Sequence, residues 1–74
     1  MNDTAGLVRF WRQQRGMSQA RLAELAGTGQ AAISRIESGR DLPTLALLDR
    51  IASALECRLT VTFTSGSGQT SASS

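Results

Sequence analysis

Apolar side chains recur at helical spacing in four separate stretches of the chain, which predicts four helices. Thr4 and Ser18 precede the first and second stretches, and their hydroxyls are suited to cap the amino-terminal ends. Gly16 and Gly39 follow the first and third stretches, where glycine readily takes the left-handed conformation that ends a helix. The predicted helices cover residues 5–15, 19–26, 30–38 and 44–55.

Each predicted helix turns apolar side chains toward a common core. The spacing of Trp11 in the first helix favours a place in this core over a surface on which bases stack. Ile33 and Ile36, three positions apart, anchor the third helix and leave its opposite side free. The other expected core positions are Leu22, Ala23, Leu25 and Ala26 in the second helix and Leu45, Leu48, Ile51, Ala52 and Leu55 in the fourth.

After the fourth helix the apolar pattern changes to strict alternation. Cys57, Leu59, Val61 and Phe63 fall on one side of residues 57–64 and polar residues on the other, which predicts a β-strand. No other stretch has this pattern, so the strand has no partner in its own chain, and its backbone groups need one. We expect antiparallel pairing with the same strand of a second molecule; the alternative is an extended tail against its own helices.

The length of 74 residues suffices for one small domain. We expect a flexible amino terminus at residues 1–4, a helical domain at 5–56, a dimerisation strand at 57–64 and a disordered Ser/Gly tail at 65–74. The predicted fold is therefore all-α, with four helices and one carboxy-terminal strand that pairs across a homodimer.

Composition excludes several kinds of chemistry. Cys57 is the single cysteine and histidine is absent, so neither a disulfide within the chain nor a His/Cys metal cluster can form. With no histidine to activate that thiol, no tyrosine and no glycine-rich phosphate loop, we expect neither an enzyme nor a cofactor. A small domain without disulfides or a bound metal commonly gains stability by oligomerisation, which we therefore expect here. The cysteine content fits a reducing cytoplasm, and no apolar run approaches the roughly 18 residues of a membrane span.

Charge adds one observation. The net charge is only +2, but all 8 basic residues are arginines. The planar guanidinium fork suits phosphate and base edges, which favours nucleic acid as a partner. A compositional bias of the genome explains the absence of lysine equally well.

The second and third predicted helices flank a glycine-containing turn, which is typical of a helix-turn-helix that places its second helix in the major groove. The stretch MSQARLAELAGTGQAAISRIESGRDLPT closely resembles the Xre/Cro family of phage-repressor-like helix-turn-helix domains. The resemblance covers about residues 7–55 and implies binding to double-stranded DNA. The matching residues, all in register, are Ser18-Gln19, Leu22-Ala23, Gly27, Ile33 and Glu37-Ser38-Gly39.

With Ile33 inward, four side chains of the third helix face outward as candidates for base contacts. Glutamine can pair with adenine, arginine with guanine, and an alanine methyl group can pack on thymine. The resemblance implies that the first of them is the main base reader, while the arginine contacts either a base or phosphate. The four candidates are Gln30, Ala31, Ser34 and Arg35.

The resemblance also assigns residues that contact the DNA backbone. Gln19 stands at the start of the second helix, where family members contact phosphate and brace the glutamine of the recognition helix. Arg40 and Thr44 correspond to positions of the family that contact phosphate. Arg21 and Arg9 add to the basic face or are simply solvated.

Glu37 has a structural role by resemblance, as partner of Arg12 in the first helix. An outward carboxylate here would repel phosphate, whereas a partly buried pair would lock the third helix to the first. We therefore expect neither residue to read bases.

The fourth helix followed directly by LECRLTVTF resembles DNA-binding antitoxins that partner HipA-type kinases, in which a carboxy-terminal strand pairs across the dimer. The leading prediction is a repressor that binds a palindromic operator as a homodimer. The alternative is an antitoxin that neutralises a toxin enzyme and regulates its own operon. A controller of a restriction–modification locus and an RNA-binding protein are weaker alternatives.

Overall fold

The computed structural model describes residues 3–65, and this part of the chain contains four α-helices. The predicted all-α class is confirmed. Residues 1–2 of the expected flexible amino terminus and residues 66–74 of the expected tail lie outside the described residues. The helices are α1 (Thr4–Gln14), α2 (Gln19–Ala26), α3 (Gln30–Glu37) and α4 (Leu45–Ala54).

The amino-terminal ends of three helices are capped by side chains. The cap of α1 is Asp3 and not Thr4, because the Asp3 carboxylate accepts a hydrogen bond from the Gly6 N–H at 3.0 Å. The prediction of Thr4 as a cap was thus wrong by one residue, and Thr4 is the first residue of the helix. Ser18 caps α2 as predicted, and Thr44 caps α4.

The carboxy-terminal ends of the four helices share one arrangement, in which the chain turns left-handed and two N–H groups bond back to the last turn. The left-handed residue is Gly16, Gly27 or Gly39 after the first three helices. After α4 it is Glu56, the one non-glycine residue with positive φ, at 58°, in the described chain. A side chain in this conformation carries strain that glycine avoids.

The core lies around α2, which packs against both α3 and α4, while α3 also packs against α1. Ile33 and Ile36 are buried as predicted, so one side of α3 is fixed to the domain. Full burial of such a side chain contributes about 1.5–3 kcal/mol. The buried apolar residues are Val8, Leu22, Ala23, Ala26, Ile33, Ile36, Ile51 and Leu55.

Three residues predicted for the core are exposed instead. Trp11 and Leu45 are 36% and 61% exposed to solvent, because they line an open apolar groove between α1 and α4. Leu25 is exposed on α2, beside Met17 and Ala54. The core is therefore smaller than the apolar pattern predicts.

Residues 57–65 have no regular secondary structure in the single chain. Cys57 and Leu59 are half-buried and line the groove between α1 and α4, as the extended-tail alternative expects. Val61 is more than half exposed, and Phe63 is 98% exposed. Pairing of this segment with a second molecule stays a prediction.

Candidate nucleic-acid interface

The connection between α2 and α3 is a three-residue turn, residues 27–29. Gly27 takes a φ of 72° there, and the Thr28 N–H donates to the carbonyl of Ala23 at 2.9 Å. Ala23 and Ala26 are almost fully buried beside the turn, where their small side chains allow the two helices to approach closely. Gly29 is the N-cap residue of α3 and has no side chain, so the first backbone N–H groups of this helix receive no hydrogen bond from a capping side chain.

The outward side of α3 holds the four predicted base-contact residues together. Gln30, Ala31, Ser34 and Arg35 are all exposed, and their spacing places them on one face of the helix. This face is opposite to the two buried isoleucines. It offers an amide, a methyl group, a hydroxyl and a guanidinium, which are the groups that distinguish bases in a major groove.

Arg35 has a partner that no sequence pattern predicted. Its Nε–H donates to Oδ2 of Asp41 at 2.8 Å, and both side chains are about half exposed. Asp41 lies six residues further on, in the loop after α3. A spacing of six is not a helical neighbour spacing, so periodicity carried no signal for this contact.

Glu37 is a buried charged residue, the one such residue among residues 3–65, with 4% of its surface exposed. Nε and Nη2 of Arg12 donate to its two oxygens at 2.6 and 2.9 Å. The Gln19 amide donates to Oε1 of the same carboxylate at 3.2 Å. Burial acts to raise the pKa of Glu37, but the hydrogen bonds from Arg12 and Gln19 and the charges of Arg12 and Arg9 outweigh it, so the pKa is lowered. In turn, the hydrogen bond to Glu37 raises the pKa of Arg12.

Four arginines donate to backbone carbonyls, and three of those carbonyls are at or next to the last residue of another helix. Such carbonyls have no partner within their own helix, and the helix dipole places negative potential there. This role gave no signal in the sequence, because it depends on how the helices cross. The bonds are Arg9 Nη1 to Glu37 O at 3.1 Å, Arg12 Nη1 to Met17 O at 2.9 Å, Arg15 Nε to Leu55 O at 2.7 Å and Arg50 Nε to Ala26 O at 2.9 Å.

The predicted phosphate contacts differ in how they are placed. Gln19 is half-buried, and its amide donates to Glu37 rather than to Gln30. Arg21 is exposed and forms an ion pair with Glu24, from Nη1 to Oε1 at 2.8 Å. The Thr44 hydroxyl accepts the Leu47 N–H at 3.1 Å at the start of α4.

Arg40 and Arg58 complete the set of arginines. Both side chains are exposed, and within residues 3–65 neither forms a hydrogen bond or an ion pair. Arg40 lies in the turn after α3, whereas Arg58 lies in the segment after α4. Arg40 is thus a cation without a side-chain partner in the described chain, close in sequence to the end of α3.

The described residues offer neither a metal site nor a membrane-spanning helix. Within residues 3–65, no three His, Cys, Asp or Glu residues lie together as a metal site would need. None of the helices found there is both long enough and apolar enough to cross a membrane.

Comparison with known proteins gives consistent matches. The family model HTH_3, a helix-turn-helix family, matches residues 8–61. The competence pilus inhibition repressor of Acinetobacter baylyi is 33% identical over 61 residues, which are 82% of this chain and 56% of that protein. In a second curated relative, a transcriptional regulator of Escherichia coli, the match covers 25% of the length. The chain thus spans about half or less of these two relatives.

Two solved structures share the arrangement of helices. The P22 c2 repressor in complex with a synthetic operator matches with a TM-score of 0.72 and 26% identity, over 77% of this chain and 86% of that chain. A single-residue variant of HipB in complex with an O2 20mer matches with a TM-score of 0.68 and 37% identity, over 81% of this chain and 83% of that chain.

Proposed function

Because the chain belongs to the Xre/Cro-like helix-turn-helix family, we propose that it is a sequence-specific DNA-binding repressor. It acts as a homodimer on a palindromic operator, with α3 of each protomer in a major groove. One observation carries the proposal, namely the outward face of α3. That face presents Gln30, Ala31, Ser34 and Arg35 to solvent, while the opposite face is buried in the core.

The chemistry of this face assigns a role to three of its four side chains. Gln30, in the first turn of α3, makes a bidentate contact with adenine, and the Ala31 methyl group packs against a thymine methyl. The Ser34 hydroxyl serves as donor or acceptor to a base edge. Small side chains at two of the four positions allow the helix to lie deep in the groove.

The DNA backbone is held from both sides of α3. Arg40 supplies a cation after α3, and the amino-terminal end of α4 at Thr44 supplies backbone N–H groups and a favourable dipole. Gln19 and Arg21, in the first turn of α2, contact phosphate on the other side. Arg21 exchanges its exposed contact with Glu24 for phosphate at little cost, because exposed ion pairs are weak.

The dimer forms through the groove between α1 and α4 and the segment after α4. Leu7, Trp11, Leu45 and Val61 line this groove and are exposed in the single chain. A second copy covers these apolar side chains and pairs its residues 57–64 with the same segment of the first. Two-fold symmetry then places the two recognition helices about 34–36 Å apart, one turn of duplex.

The proposal is tested by selecting bound DNA from a random pool and measuring the mass of the free protein. We expect a palindromic motif and the mass of a dimer. Gln30→Ala should relax preference at one base pair of each half-site, while Gln14→Ala, the same change on an exposed residue of α1, should leave the motif unchanged. A pool without enriched sequences, or equal effects of Gln30→Ala on operator and random DNA, would contradict the proposal.

A second candidate is an antitoxin that also represses its own operon. The similarity to the HipB structure, over 81% of this chain, supports it, together with the exposed apolar residues after α4. The neighbouring reading frame decides between the two candidates. A neighbouring toxin gene whose product binds this chain and thereby loses activity supports the antitoxin. A neighbouring gene whose product is no toxin and does not bind this chain supports a dedicated repressor.

A further inference from the structure

The turn after α3 brings the carboxylate of Asp41 to the outward face of α3, the face that carries Gln30, Ala31, Ser34 and Arg35. Gly39 takes a φ of 81°, which sends the chain back along α3. The carbonyl of Arg35 then accepts three hydrogen bonds, from the Ser38 hydroxyl at 3.0 Å, the Arg40 N–H at 2.9 Å and the Asp41 N–H at 3.3 Å. The backbone of Asp41 is thereby tied to the residue whose side chain it contacts.

The contact between these two side chains uses one particular nitrogen of the guanidinium. Nε of Arg35 donates to Oδ2 of Asp41 at 2.8 Å. With Nε engaged, one N–H of Nη1 and one of Nη2 still point along the end of the side chain, away from the carboxylate, and form a planar fork. Asp41 thus holds the guanidinium at Nε, and the two N–H groups at its end stay available to a ligand.

We propose that Asp41 is a positioning residue that orients Arg35 to read guanine, so that each half-site of the operator carries a G·C pair at this place. The inference rests on the proposed function and decides between the base and phosphate roles left open for Arg35. Guanine presents two acceptors, O6 and N7, that match the fork. Adenine presents a donor where guanine has O6, so the fork rejects adenine.

The charge of Asp41 argues against phosphate as the target of Arg35. A phosphate that approached this guanidinium would also approach the exposed carboxylate, and like charges repel. Guanine is uncharged and meets no such repulsion. Holding the long side chain before binding also removes part of the conformational freedom that Arg35 would otherwise lose on the DNA.

The contact adds little to the stability of the fold, because both partners are about half exposed. Substitutions at either residue are therefore expected to fold. The pair formed by Arg21 and Glu24 has a similar length of 2.8 Å and serves as a matched control elsewhere on the surface.

The experiment measures base preference at every operator position for the wild type and for four variants. Arg35→Ala should lose the preference for guanine at one position of each half-site, by about 5- to 150-fold. Arg35→Lys keeps the charge but lacks both the planar fork and the Nε that Asp41 holds, so it should weaken the same preference while keeping the salt dependence of binding. Asp41→Ala should keep Arg35 but weaken this preference several-fold and bind random DNA more tightly. Glu24→Ala should change no base preference.

A modified operator identifies the contacted atom. Replacing the selected guanine by 7-deazaguanine removes N7, which should weaken binding of the wild type several-fold and leave the affinity of Arg35→Ala unchanged.

Two results would overturn the inference alone. One is an Arg35→Ala variant that weakens all operators equally and lowers the salt slope by about one, as loss of a phosphate contact does. The other is an Asp41→Ala variant with wild-type preferences. If no sequence is enriched from the pool at all, the proposed function fails, and the inference fails with it.

Discussion

The two carboxylate oxygens of Glu37 receive Nε and Nη2 of Arg12 at 2.6 and 2.9 Å, and this contact joins the last residue of α3 to the carboxy-terminal half of α1. Gln19 of α2 donates to the same carboxylate, so one buried group connects three helices. Ile33 and Ile36 fix the inner side of α3, and Glu37 fixes its end. The orientation of the proposed recognition face depends on both.

Removing Arg12 should strongly destabilise the fold. Arg12→Met leaves a buried carboxylate without its charged partner, and we expect the free energy of unfolding to fall by about 3–5 kcal/mol. Denaturant unfolding followed by circular dichroism measures it. Arg21→Met removes the exposed partner of Glu24 and should cost less than about 1 kcal/mol. Equal losses in the two variants would show that burial of the pair has no special weight.

Stability should depend on pH through the same carboxylate. The pKa of Glu37 is lowered on folding, so its charged form contributes stability that is fully present above the pKa of the unfolded glutamate. That contribution is lost as pH falls through the lower pKa of the folded state. Wild type should therefore exceed Glu37→Gln most at neutral pH, and the difference should shrink on acidification. Unfolding curves of both proteins between about pH 7 and pH 3 test this, and a constant difference would refute it.

The helices were predictable from the sequence because their signals are local. Apolar spacing located all four, and Ser18 and Gly39 stand within a few residues of the ends that they set. The buried Ile33 and Ile36 fixed the orientation of α3, and the exposure of Gln30 follows from them.

Contacts between helices were not predictable in the same way. Whether Arg15 or Arg50 reaches a carbonyl depends on crossing angles that no sequence spacing encodes. The bond from Arg35 to Asp41 depends on the path of the chain after Gly39. Asp3 was different, because an aspartate just before a helical pattern is itself a recognisable N-cap signal, and the prediction placed the cap at Thr4 instead.

Replacing Glu56 by glycine should stabilise the protein. Glu56 has a φ of 58°, and the N–H of Cys57 donates to Ala52 O at 2.8 Å in the turn that this conformation allows. Glycine relieves the left-handed strain of about 1–2 kcal/mol but has more freedom in the unfolded chain, so we expect a net gain of about 0.5–1 kcal/mol. The thermal midpoint measures the gain. The reverse change at the matching position after α1, Gly16→Ala, should lower the midpoint.

Arg40 should contribute to DNA affinity without contributing to base preference. Arg40→Ala should weaken operator and random DNA by the same factor and lower the slope of log affinity against log salt by about 0.9. Binding titrations at several salt concentrations provide both quantities. Arg58→Ala removes another arginine without a side-chain partner in the described chain, which belongs to the segment proposed for dimerisation and lies outside the proposed DNA interface, and it should leave the slope unchanged. An altered base preference in Arg40→Ala would contradict a pure phosphate role.

A charge on the apolar side of residues 57–64 should prevent dimerisation. Val61→Asp places a carboxylate in the proposed contact between residues 57–64 of the two copies, which we call the seam. Desolvation of the carboxylate is unfavourable there, so we expect a folded monomer. Thr62→Asp introduces the same charge at the next position, on the opposite side of the predicted strand, and should remain a dimer. Sedimentation equilibrium distinguishes the two. A wild-type monomer, or two dimeric variants, would remove this seam from consideration.

Asp41 lies outside α3, although its side chain holds one of the residues that α3 presents. A transplant of residues 30–37 into a related domain would therefore carry the reading side chains without the group that orients Arg35. Such a chimera should recognise adenine through Gln30 but should accept any base at the base pair that Arg35 contacts. A transplant that extends to residue 41 carries the exit turn as well. The exchangeable unit of specificity is then the helix together with that turn, and engineering of new operators should treat the twelve residues from Gln30 to Asp41 as one cassette.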